Sequence, residues 1–496
     1  MTVSFGQVRL GSLLDMPMGP LADVMVGDVT LDSRTAAPGS IFIAVPGHET
    51  DGRVYIQAAL DAGVSAVFAE ADGYSANDSR VILVPKLRSR CAEIARNFYA
   101  DPSANMSLLA VTGTNGKTSV TDYIAQILSQ LDVRAACLGT LGARLGGSAP
   151  VSGTHNTTPD IFTLNAQLRQ WCDEGIEHVA LEASSHALDQ GRLEGLQIKV
   201  AVFTNLSRDH LDYHGDEATY SAAKLKLFSW PTLQTSIFNA DDPVARRVTD
   251  DAICETLGIS LKDPDADVYV AVVHHDGVQQ IRMHTPMGVG EISTRLVGAF
   301  NAFNLAAAVM AVVSLGYDFT KALSAAASVT AVPGRMQSIA NERRLKIVID
   351  YAHTPDAMVG ALQALRPQTV GQIWLVFGCG GDRDKGKRQQ MGLVAATLAN
   401  HVVLTSDNPR SEDPLAILAD VRSGIAGDCD VIADRREAIK FALAQAKAGD
   451  CIVIAGKGHE NYQEIQGVRL PFSDEEVVAE LLASSQVSVA DQAVGS

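Results

Sequence analysis

The sequence predicts an α/β protein of three domains, and three observations lead to this prediction. The chain has 496 residues, which is too long for one ordinary hydrophobic core. Short apolar runs of strand length alternate with helix-like stretches along much of the chain. Many of these runs end in clusters of Gly, His and charged residues, and ligands of open α/β sheets bind beyond the carboxyl ends of the strands. We therefore expect a substrate cleft between two successive domains.

Composition and charge exclude several classes of function. The chain is 47% hydrophobic and 20% charged, as is typical of globular proteins. No apolar stretch approaches the ~18 residues of a membrane span, and the first residues lack a secretory pattern. The seven scattered cysteines indicate reduced thiols, so we expect a cytoplasmic protein. A net charge of −17 repels a phosphate backbone, so we expect no nucleic-acid partner.

The segment Val111–Thr118, which reads VTGTNGKT, is the most informative in the chain. It follows an apolar run and precedes a helical pattern, and a strand, glycine loop and helix in this order direct backbone N–H groups at phosphate. Lys117 would reach the outer phosphates, and the Thr118 hydroxyl would face Mg²⁺. The full P-loop pattern has Gly where this chain has Val111. A purely structural glycine turn is the alternative, but it explains neither Lys117 nor Thr118.

The chain divides into predicted domains at residues 1–102, 103–333 and 334–496. The second begins just before the glycine loop and ends at the turn Pro333–Gly334, and the third alternates strands and helices most clearly. The apolar runs that we predict as strands are Ser40–Val45, Ser65–Ala69, Val81–Val84, Leu108–Ala110, Val179–Leu181, Val200–Phe203, Ile347–Ile349, Ile373–Phe377, Val402–Leu404 and Ile452–Ile454.

Two polar residues after strands of the second block are candidate metal ligands. Glu182 follows Val179–Leu181, where its carboxylate could hold Mg²⁺ beside the glycine loop; a helix-capping carboxylate is the alternative. His210 lies in Asp209–His214, and a His near Mg²⁺ needs an anionic companion because hard cations prefer oxygen. A structural histidine is the alternative for His210.

Together these residues resemble one family, the ATP-dependent Mur ligases of cell-wall peptide synthesis. Within it, the match is closest to the ligases that add the third residue to UDP-N-acetylmuramoyl-L-alanyl-D-glutamate. One departure is Ala183, where the family more usually has Val. The strings that carry the resemblance occur in order over nearly the whole chain: Gly113–Thr118, Asn156–Pro159, Glu182–His186, Asp209–His214, Ala223–Phe228, Asp350–His353, Gly380–Arg383, Asp407–Arg410 and Gly456–Glu460.

The resemblance implies a fold and a reaction. The expected fold has a small N-terminal α/β domain for the UDP substrate, a central P-loop-type ATPase domain with a parallel or mixed sheet, and a C-terminal Rossmann-like domain for the incoming amino acid. ATP, as co-substrate, phosphorylates the free D-glutamyl carboxylate. The incoming amino group then displaces phosphate from the acyl phosphate. The resemblance also implies two Mg²⁺ ions, and we expect a monomer.

The resemblance assigns catalytic roles to Lys117, Glu182, His210 and Lys224, with Lys224 carrying a CO₂ adduct. The carbamate would help to bind metal with Thr118, Glu182 and His210. Without the resemblance, the lysines of Ser221–Phe228 would be solvated helix surface. The residues expected to bind ATP are Gly113, Thr114, Asn115, Gly116, Lys117, Thr118, Ser119, Asn301, Asn304 and Arg335. For Asn304 a helix N-cap is the alternative.

The resemblance also places the UDP-muramyl dipeptide. Without it, Asp32–Arg34 would be a polar turn, whereas a forked donor such as Arg192 suits a carboxylate or phosphate on chemical grounds alone. The residues expected to bind this substrate are Leu31, Ser33, His48, Asn156, Thr157, Thr158, Ser184, Gln190 and Arg192.

The string Asp407–Arg410 resembles that of ligases that add meso-2,6-diaminopimelate, and ligases that add L-lysine lack its Arg. Diaminopimelate ends in a second amino-acid head, whose carboxylate can pair with Arg410, whereas the bare ammonium of lysine would be repelled. Glu460 suits the distal ammonium. Taken alone, Arg410 would be a surface turn. The residues expected to bind diaminopimelate are Arg383, Asp407, Asn408, Pro409, Arg410, Gly456 and Glu460.

Two other functions remain open. A sister ligase, such as the one that adds D-alanyl-D-alanine or a folylpolyglutamate synthetase, shares the glycine loop and the Glu and His centre but differs at Asp407–Arg410. A P-loop regulator would bind ATP and a cell-wall precursor without joining them. The helix that carries Lys224 and the predicted amino-acid site argue against the regulator.

Overall fold

A computed structural model of the chain describes residues 6–47, 50–146, 156–250, 252–275 and 278–493. Within these ranges, three sheets of four or more strands follow one another along the chain, and each predicted domain contains one of them. All ten predicted strands are strands in the structure. The predicted α/β class is therefore confirmed, while the boundaries 1–102, 103–333 and 334–496 stay a prediction.

The N-terminal sheet has the strand order β3-β4-β5-β6, and all of its pairings are parallel. A separate short pair, β1 and β2, is antiparallel. Helix α2 packs against α4 of the central domain and buries Ile94 and Phe98. The elements are β1 (Val8–Arg9), β2 (Met25–Val26), β3 (Asp28–Thr30), β4 (Ser40–Ala44), α1 (Ile56–Asp61), β5 (Ala66–Glu70), β6 (Val81–Val84), α2 (Leu87–Tyr99) and, in the central domain, α4 (Ile161–Asp173).

The central sheet has ten strands in the order β16-β15-β14-β13-β12-β11-β7-β10-β8-β9. Pairings from β14 to β8 are parallel, and β9, β15 and β16 are antiparallel, so the sheet is mixed. The strands are β7 (Ser107–Thr112), β8 (Ala135–Gly139), β9 (Gly142–Leu145), β10 (His178–Glu182), β11 (Ile198–Phe203), β12 (Thr235–Asn239), β13 (Glu255–Ser260), β14 (Val268–His275), β15 (Val278–Thr285) and β16 (Gly288–Thr294).

Seven of the ten central strands, β8, β9 and β12 to β16, have no counterpart among the predicted strands. In β15, buried and exposed residues alternate, so its polar positions interrupt the apolar run on which strand prediction depends. Helix α8, by contrast, is apolar on nearly all sides and is buried against the sheet and α3. The central helices besides α4 are α3 (Lys117–Gln130), α5 (Ser185–Asp189), α6 (Leu211–His214), α7 (Glu217–Leu225), α8 (Ala299–Ser314) and α9 (Phe319–Ala326).

The C-terminal sheet has six strands in the order β17-β18-β22-β19-β20-β21. Its pairings are parallel except that of β17, and β23 pairs with β24 in a separate hairpin. The elements are β17 (Gln337–Ile339), β18 (Lys346–Asp350), α10 (Pro355–Leu365), β19 (Ile373–Phe377), α11 (Gly386–Leu398), β20 (His401–Leu404), α12 (Pro414–Arg422), β21 (Asp430–Val431), α13 (Arg435–Gln445), β22 (Cys451–Ala455), β23 (Tyr462–Ile465), β24 (Val468–Pro471) and α14 (Asp474–Ala493).

The junction between the central and C-terminal domains depends on a glycine. Gly334 has φ +69°, and a Cβ there would lie 2.1 Å from the backbone N of His459. A larger residue would be strained in this conformation and would also push the two segments apart. No helix of the described ranges has the length and apolar content to cross a membrane.

Candidate active site

A cavity of about 1060 Å³ lies between the central and C-terminal sheets, as the polar clusters predict. Many of its lining residues come from the segments that follow strands of both sheets, where parallel strands end. Of the residues predicted for a site, those that line it are Lys117, Asn156, Thr157, Ser184, Arg192, His210, Lys224, Arg383, Asp407, Asn408, Arg410, Gly456 and Glu460.

The glycine loop connects β7 to α3 and has the predicted strand–loop–helix form. Gly113 has φ +140° and Gly116 has φ +88°, and a Cβ on Gly113 would lie 1.9 Å from Thr204 Oγ1. Glycine therefore serves both the backbone conformation and the close approach. Thr114 and Asn115 donate from their backbone N–H groups to Asn205 O (2.8 Å) and Asn205 Oδ1 (3.0 Å), which anchors the loop to the end of β11.

Lys117 and Thr118 begin helix α3. Lys117 Nζ donates to the carbonyls of Gly113 and Thr114, both at 2.9 Å, so its cation lies over the loop. Burial lowers the pKa of Lys117, and Arg335 lowers it further, although Glu182 opposes this. The Thr118 hydroxyl accepts from Arg335 Nη2 at 3.1 Å. Ser119 is buried in the same helical turn.

Glu182 ends β10 and is almost fully buried. Its carboxylate accepts from the Thr140 backbone N–H (2.8 Å) and the Thr140 hydroxyl (3.1 Å). A Cβ on Gly139 would lie 2.0 Å from Glu182 Oε1, so glycine leaves room for the carboxylate. The cap of α5 is Ser184, which rules out the helix-cap alternative for Glu182. A buried carboxylate beside the Thr118 helix terminus is the kind of oxygen donor set that suits Mg²⁺.

His210 lies in a cluster that joins the two domains. It has φ +54°, and its Nε2 lies 3.5 Å from Asp209 Oδ2. Asp209 also lies 3.6 Å from His353 Nε2 and 3.5 Å from Lys387 Nζ, both in the C-terminal domain. Burial lowers the pKa of His210 to about 3, so the imidazole is neutral and able to act as a ligand. In the described ranges no three His, Cys, Asp or Glu side chains form a ready-made metal site.

Burial raises the pKa of Asp209, but the hydrogen bond from His353 and the charge of Lys387 outweigh this effect. The pKa of Asp209 therefore lies well below its usual value, and the carboxylate is an anion beside His210. This is the anionic companion that a ligand role for His210 requires.

Lys224 and Lys226 lie two positions apart and have opposite environments. Lys224 is 1% exposed, donates to Gly113 O at 2.8 Å and lies 4.4 Å from the centre of the Tyr220 ring. Lys226 has a half-exposed side chain paired with Asp189 at 2.8 Å. Burial, with the nearby charge of Lys117, holds the pKa of Lys224 well below its usual value. The surface alternative is wrong for Lys224 and holds for Lys226.

The polar residues expected around the muramyl peptide form one network. Arg192 donates to Thr158 O (2.6 Å) and to Gln190 Oε1 (2.6 and 3.0 Å). The Thr158 hydroxyl donates to Glu182 O at 2.6 Å and thereby joins this network to the candidate metal ligand. Asn156, Thr157 and Ser184 line the cavity nearby.

The uridine-end residues are separate from this cavity. Leu31 and Ser33 lie after β3, and no residue of the described N-terminal sheet lines the cavity. Asp32 caps a short 3-10 helix, Ser33–Thr35, where it accepts from the backbone N–H of Arg34 at 3.0 Å and forms an ion pair with its side chain. The uridine contacts of Leu31 and Ser33 stay a prediction. His48 lies outside the described residues.

Asn301, Asn304 and Arg335 lie beside the glycine loop and helix α3. Helix α8 begins at Ala299 with Gly298 as its cap, so the N-cap alternative for Asn304 is wrong. Both asparagines are buried, and Asn304 Oδ1 would lie 2.7 Å from a Cβ on Gly116. Arg335 lies over the Tyr351 ring at 4.2 Å.

The predicted amino-acid site lies at the C-terminal wall of the cavity. Asp407, Asn408 and Pro409 are buried, and Arg410 is half-buried with its Nη1 donating to Gly381 O at 2.7 Å. Among the described contacts, Asn408 Nδ2 (2.8 Å) and Lys457 Nζ (3.0 Å) both donate to Glu460 Oε2, and Oε1 remains for a ligand. The surface-turn alternative for Arg410 does not hold, because its segment lines the cavity.

Comparison with known proteins identifies the family. Family models match the chain for the Mur ligase family catalytic domain (residues 26–99), the Mur ligase middle domain (111–312) and the glutamate ligase domain of Mur ligases (334–458). The UDP-N-acetylmuramoyl-L-alanyl-D-glutamate--2,6-diaminopimelate ligase of Ectopseudomonas mendocina (strain ymp) is 45% identical over 474 residues, covering 93% of this chain and 97% of the relative. The protein of the same name from Coxiella burnetii is 43% identical over 480 residues, covering 94% and 98%.

The chain belongs to the Mur ligase family. It is thus an ATP-dependent enzyme that forms an amide bond, and the predicted family and enzyme class are confirmed. A solved 2,6-diaminopimelate ligase matches with TM-score 0.70 and 38% identity over 97% of this chain and 100% of that chain. MurF from Thermotoga maritima matches at TM-score 0.63 and 17% identity over 92% and 96%, which shows the shared fold alone.

Several residues of this Mur ligase line the cavity without having been predicted as site residues. Asp209, Tyr351, His353 and His459 belong to the polar clusters after strands, so the cluster pattern was the signal that pointed to them. Other residues had no such signal, because they lie on strands or hairpins whose side chains alternate: Arg144, Tyr462, Glu464 and Arg469.

Proposed function

We propose that this Mur ligase adds meso-2,6-diaminopimelate to UDP-N-acetylmuramoyl-L-alanyl-D-glutamate, by way of an acyl phosphate, in the synthesis of peptidoglycan precursors. The observation that carries the proposal is the shared cavity, which Arg410 and Glu460 line from one side and Lys117 and Lys224 from the other. Relatives at 43–45% identity over nearly their full length are named as ligases of this reaction, which supports the proposal.

The amino-acid wall offers the charges that diaminopimelate needs. Arg410 presents a guanidinium to a distal carboxylate, and Glu460 Oε1 presents an acceptor to a distal ammonium. Arg383, Asn408, Asp407 and Gly456 line the same wall, and Pro409 is buried behind it. L-Lysine lacks the distal carboxylate, so Arg410 would be left facing an ammonium.

The central wall offers the charges for phosphoryl transfer. A carboxylate that attacks a γ-phosphoryl group brings two anions together, so neutralisation and alignment account for most of the catalysis. Lys117 would supply a cation above the loop, and the backbone N–H groups at the start of α3 would face the phosphates. Asn301, Asn304 and Arg335, which lie beside the loop and helix α3, would hold the adenosine part of ATP.

The candidate metal ligands are Thr118, Glu182, His210 and a carbamate on Lys224. Mg²⁺ held there would neutralise charge on the phosphates and the reacting carboxylate. These donors form two groups around the glycine loop, Glu182 with Thr118 and Lys224 with His210. Because the two groups lie on different elements, each could hold one ion, so two ions fit the proposal. The described residues orient these donors through Thr140 and Asp209.

The buried amine of Lys224 supports the proposed carbamate. Burial disfavours the ammonium, and a neutral amine nitrogen can attack the carbon of CO₂ and release one proton to give the carbamate anion. Lys117 lies close enough to lower the pKa of Lys224 by its charge, so it would also favour the anionic product. Lys226, which is half-exposed and paired with Asp189, lacks this burial.

The UDP-muramyl dipeptide would extend from the cavity towards the N-terminal domain. Asn156, Thr157, Thr158, Ser184, Gln190 and Arg192 form the network nearest the reacting carboxylate, and Leu31 and Ser33 would contact the uridine end. We further propose that the enzyme is a monomer of the cytoplasm, where its nucleotide-linked substrate and ATP meet.

The experiment that tests the proposal follows ADP release from purified enzyme given ATP, Mg²⁺ and the muramyl dipeptide nucleotide, with each of several amino acids. We expect release to depend on meso-diaminopimelate, with L-lysine and D-alanyl-D-alanine far below it. Preference for D-alanyl-D-alanine would indicate a sister ligase. Binding of ATP and nucleotide without turnover on any amino acid would indicate a regulator, and either result would overturn the proposal.

A further inference from the structure

Arg410 has a backbone conformation that its own residue type disfavours. Its φ is +51°, in the left-handed region that costs a non-glycine residue about 1 kcal/mol. The guanidinium nevertheless has a defined position, with Nη1 2.7 Å from Gly381 O. A conformation of this kind persists when the surrounding structure holds it.

The surrounding structure that holds Arg410 is the hairpin β23–β24. The Arg410 N–H donates to Glu464 O at 2.9 Å, and the Gln466 N–H donates to Arg410 O at 2.7 Å. Arg410 is thereby bridged to Ile465 as if it were one residue of a third strand. The left-handed turn is fixed from both sides of the same residue.

The same hairpin also holds the neighbours of Arg410. Gln463 Nε2 donates to Asp407 O at 2.7 Å, and the Glu464 N–H donates to Asn408 Oδ1 at 3.0 Å. Gln466 Nε2 donates to Ser411 O at 3.3 Å. Five hydrogen bonds thus connect one short hairpin to four of the five residues Asp407–Ser411, all except Pro409.

The hairpin itself is well suited to act as a rigid template. Its two-residue loop, Gln466–Gly467, has φ of +50° and +75°, which matches the tight turn whose twist fits antiparallel strands. Arg469 lies over the Tyr462 ring at 4.4 Å, so the strands are also joined on the cavity side. The hairpin pairs with no strand of the six-stranded sheet in the described ranges.

We propose that the hairpin β23–β24 determines amino-acid specificity by positioning Arg410, with Gln463 and Gln466 as its positioning residues. The inference rests on the proposed function and deepens it. Loss of the side-chain bonds would let Asp407–Ser411 relax and would turn the guanidinium away from the distal carboxylate of the amino acid. We assign ATP and the muramyl nucleotide to other segments, so we expect their binding not to change.

The test compares the double variant Gln463→Met, Gln466→Gly with the wild type. Methionine keeps the length of Gln463 without its donor, and glycine keeps the positive φ at 466. We expect the KM for meso-diaminopimelate to rise about tenfold, as two lost hydrogen bonds imply. We expect kcat and the KM for ATP to stay within about twofold, and the preference over L-lysine to fall about tenfold.

The matched control is Val468→Thr, an exposed substitution on the same hairpin that touches none of these bonds. An unchanged KM for the amino acid, or equal losses for amino acid and ATP, would overturn the inference. If the double variant does not fold, as judged by its thermal midpoint, the single variant Gln466→Gly is measured instead. We then expect the KM for meso-diaminopimelate to rise about threefold.

Failure of the inference can be told apart from failure of the proposed function. If the wild type ligates another amino acid instead, the proposed substrate is wrong, and the same KM comparison is made with the amino acid that it does use. The inference then stands or falls on that result.

Discussion

The glycine loop and the segment Asp407–Arg410 both follow an apolar strand and face the same cavity, yet different means hold them in left-handed conformations. The loop uses glycine at Gly113 and Gly116, which adopt positive φ without strain. The other segment uses Arg410, whose side chain the proposed site needs, and hydrogen bonds from a hairpin more than 50 residues later hold its backbone. Arg410 at positive φ therefore depends on this hairpin to offset its strain, whereas the glycines of the loop have no such strain to offset.

The largest expected effect concerns Lys224, whose side chain lies against the glycine loop. Lys224→Ala removes the proposed carbamate, and we expect kcat to fall about 10³-fold, the range for loss of one charge-stabilising group at a reacting centre. Acetate or another short carboxylate should restore part of the activity, because it can replace the anion. ADP release measures both effects.

The matched control is Lys226→Ala, on the same helix. Lys226 is half-exposed and paired with Asp189, and a surface pair of this kind contributes little, so we expect activity within about twofold of the wild type. Full activity of Lys224→Ala without any additive would contradict the carbamate.

The next effect concerns the segment Asp407–Arg410, which the hairpin β23–β24 supports. Arg410→Ala removes the guanidinium that we assign to the distal carboxylate, and we expect kcat/KM for meso-diaminopimelate to fall about 100-fold, as for a truncated buried charge pair. The relative use of L-lysine should rise, since its ammonium no longer faces a cation. Steady-state kinetics with both amino acids measure the change. The assignment is wrong if diaminopimelate is used equally well and L-lysine no better.

The contrast between the two regions also explains what the sequence could predict. The glycine loop, the strand at Glu182 and the family strings are local patterns, so the fold class and the residues around the loop were predictable. The burial of Lys224 was not predictable from its helix, because Lys226 has the same residue type and nearly the same neighbours in sequence. The hairpin contacts of Arg410 join residues far apart in the chain, and no spacing rule reveals them.

A third prediction concerns protein stability and Glu412, which lies two residues after the segment Asp407–Arg410. Glu412 accepts from both Nη atoms of buried Arg388, at 2.8 and 3.0 Å, and from the backbone N–H of Asp382 at 2.7 Å. Hydrogen bonding from Arg388 lowers the pKa of Glu412 to about 2. We expect Glu412→Gln to lower the free energy of unfolding at neutral pH by about 2 kcal/mol, as for hydrogen bonds to a charged group.

The sign of the pH dependence follows from the depressed pKa. The carboxylate contributes its stability above the usual value of 4.5, and this contribution is lost as the pH falls towards about 2. The thermal midpoints of wild type and Glu412→Gln should therefore differ at pH 7 and converge in acid. Glu437→Gln, whose pair with Lys440 is exposed, is the control and should differ little at any pH. A gap for Glu412→Gln that is constant with pH would contradict the ion pair as its cause.

The smallest effect tests an ion pair that connects the central wall of the cavity to its C-terminal wall. Arg208, from the segment after β11, contacts Asp384 at 2.9 Å, next to the predicted amino-acid ligand Arg383. Arg208 is 38% exposed, so the pair is screened by solvent and contributes at most about 1 kcal/mol. Arg208→Gln should raise the KM for the amino acid about twofold at low salt, because the C-terminal wall is less firmly aligned with the central one.

Salt separates this effect from a change in packing. The KM values of wild type and Arg208→Gln should converge at about 0.5 M salt, where exposed charges are screened within a few ångströms. Arg436→Gln removes a comparable exposed pair with Glu480, which lies within the C-terminal domain, and should leave the KM unchanged at every salt concentration. If the gap for Arg208→Gln persists in high salt, the side chain acts through contacts other than its charge. The two walls are then aligned by packing, and the cluster around Asp209, which is buried and less accessible to salt, becomes the contact that holds them together.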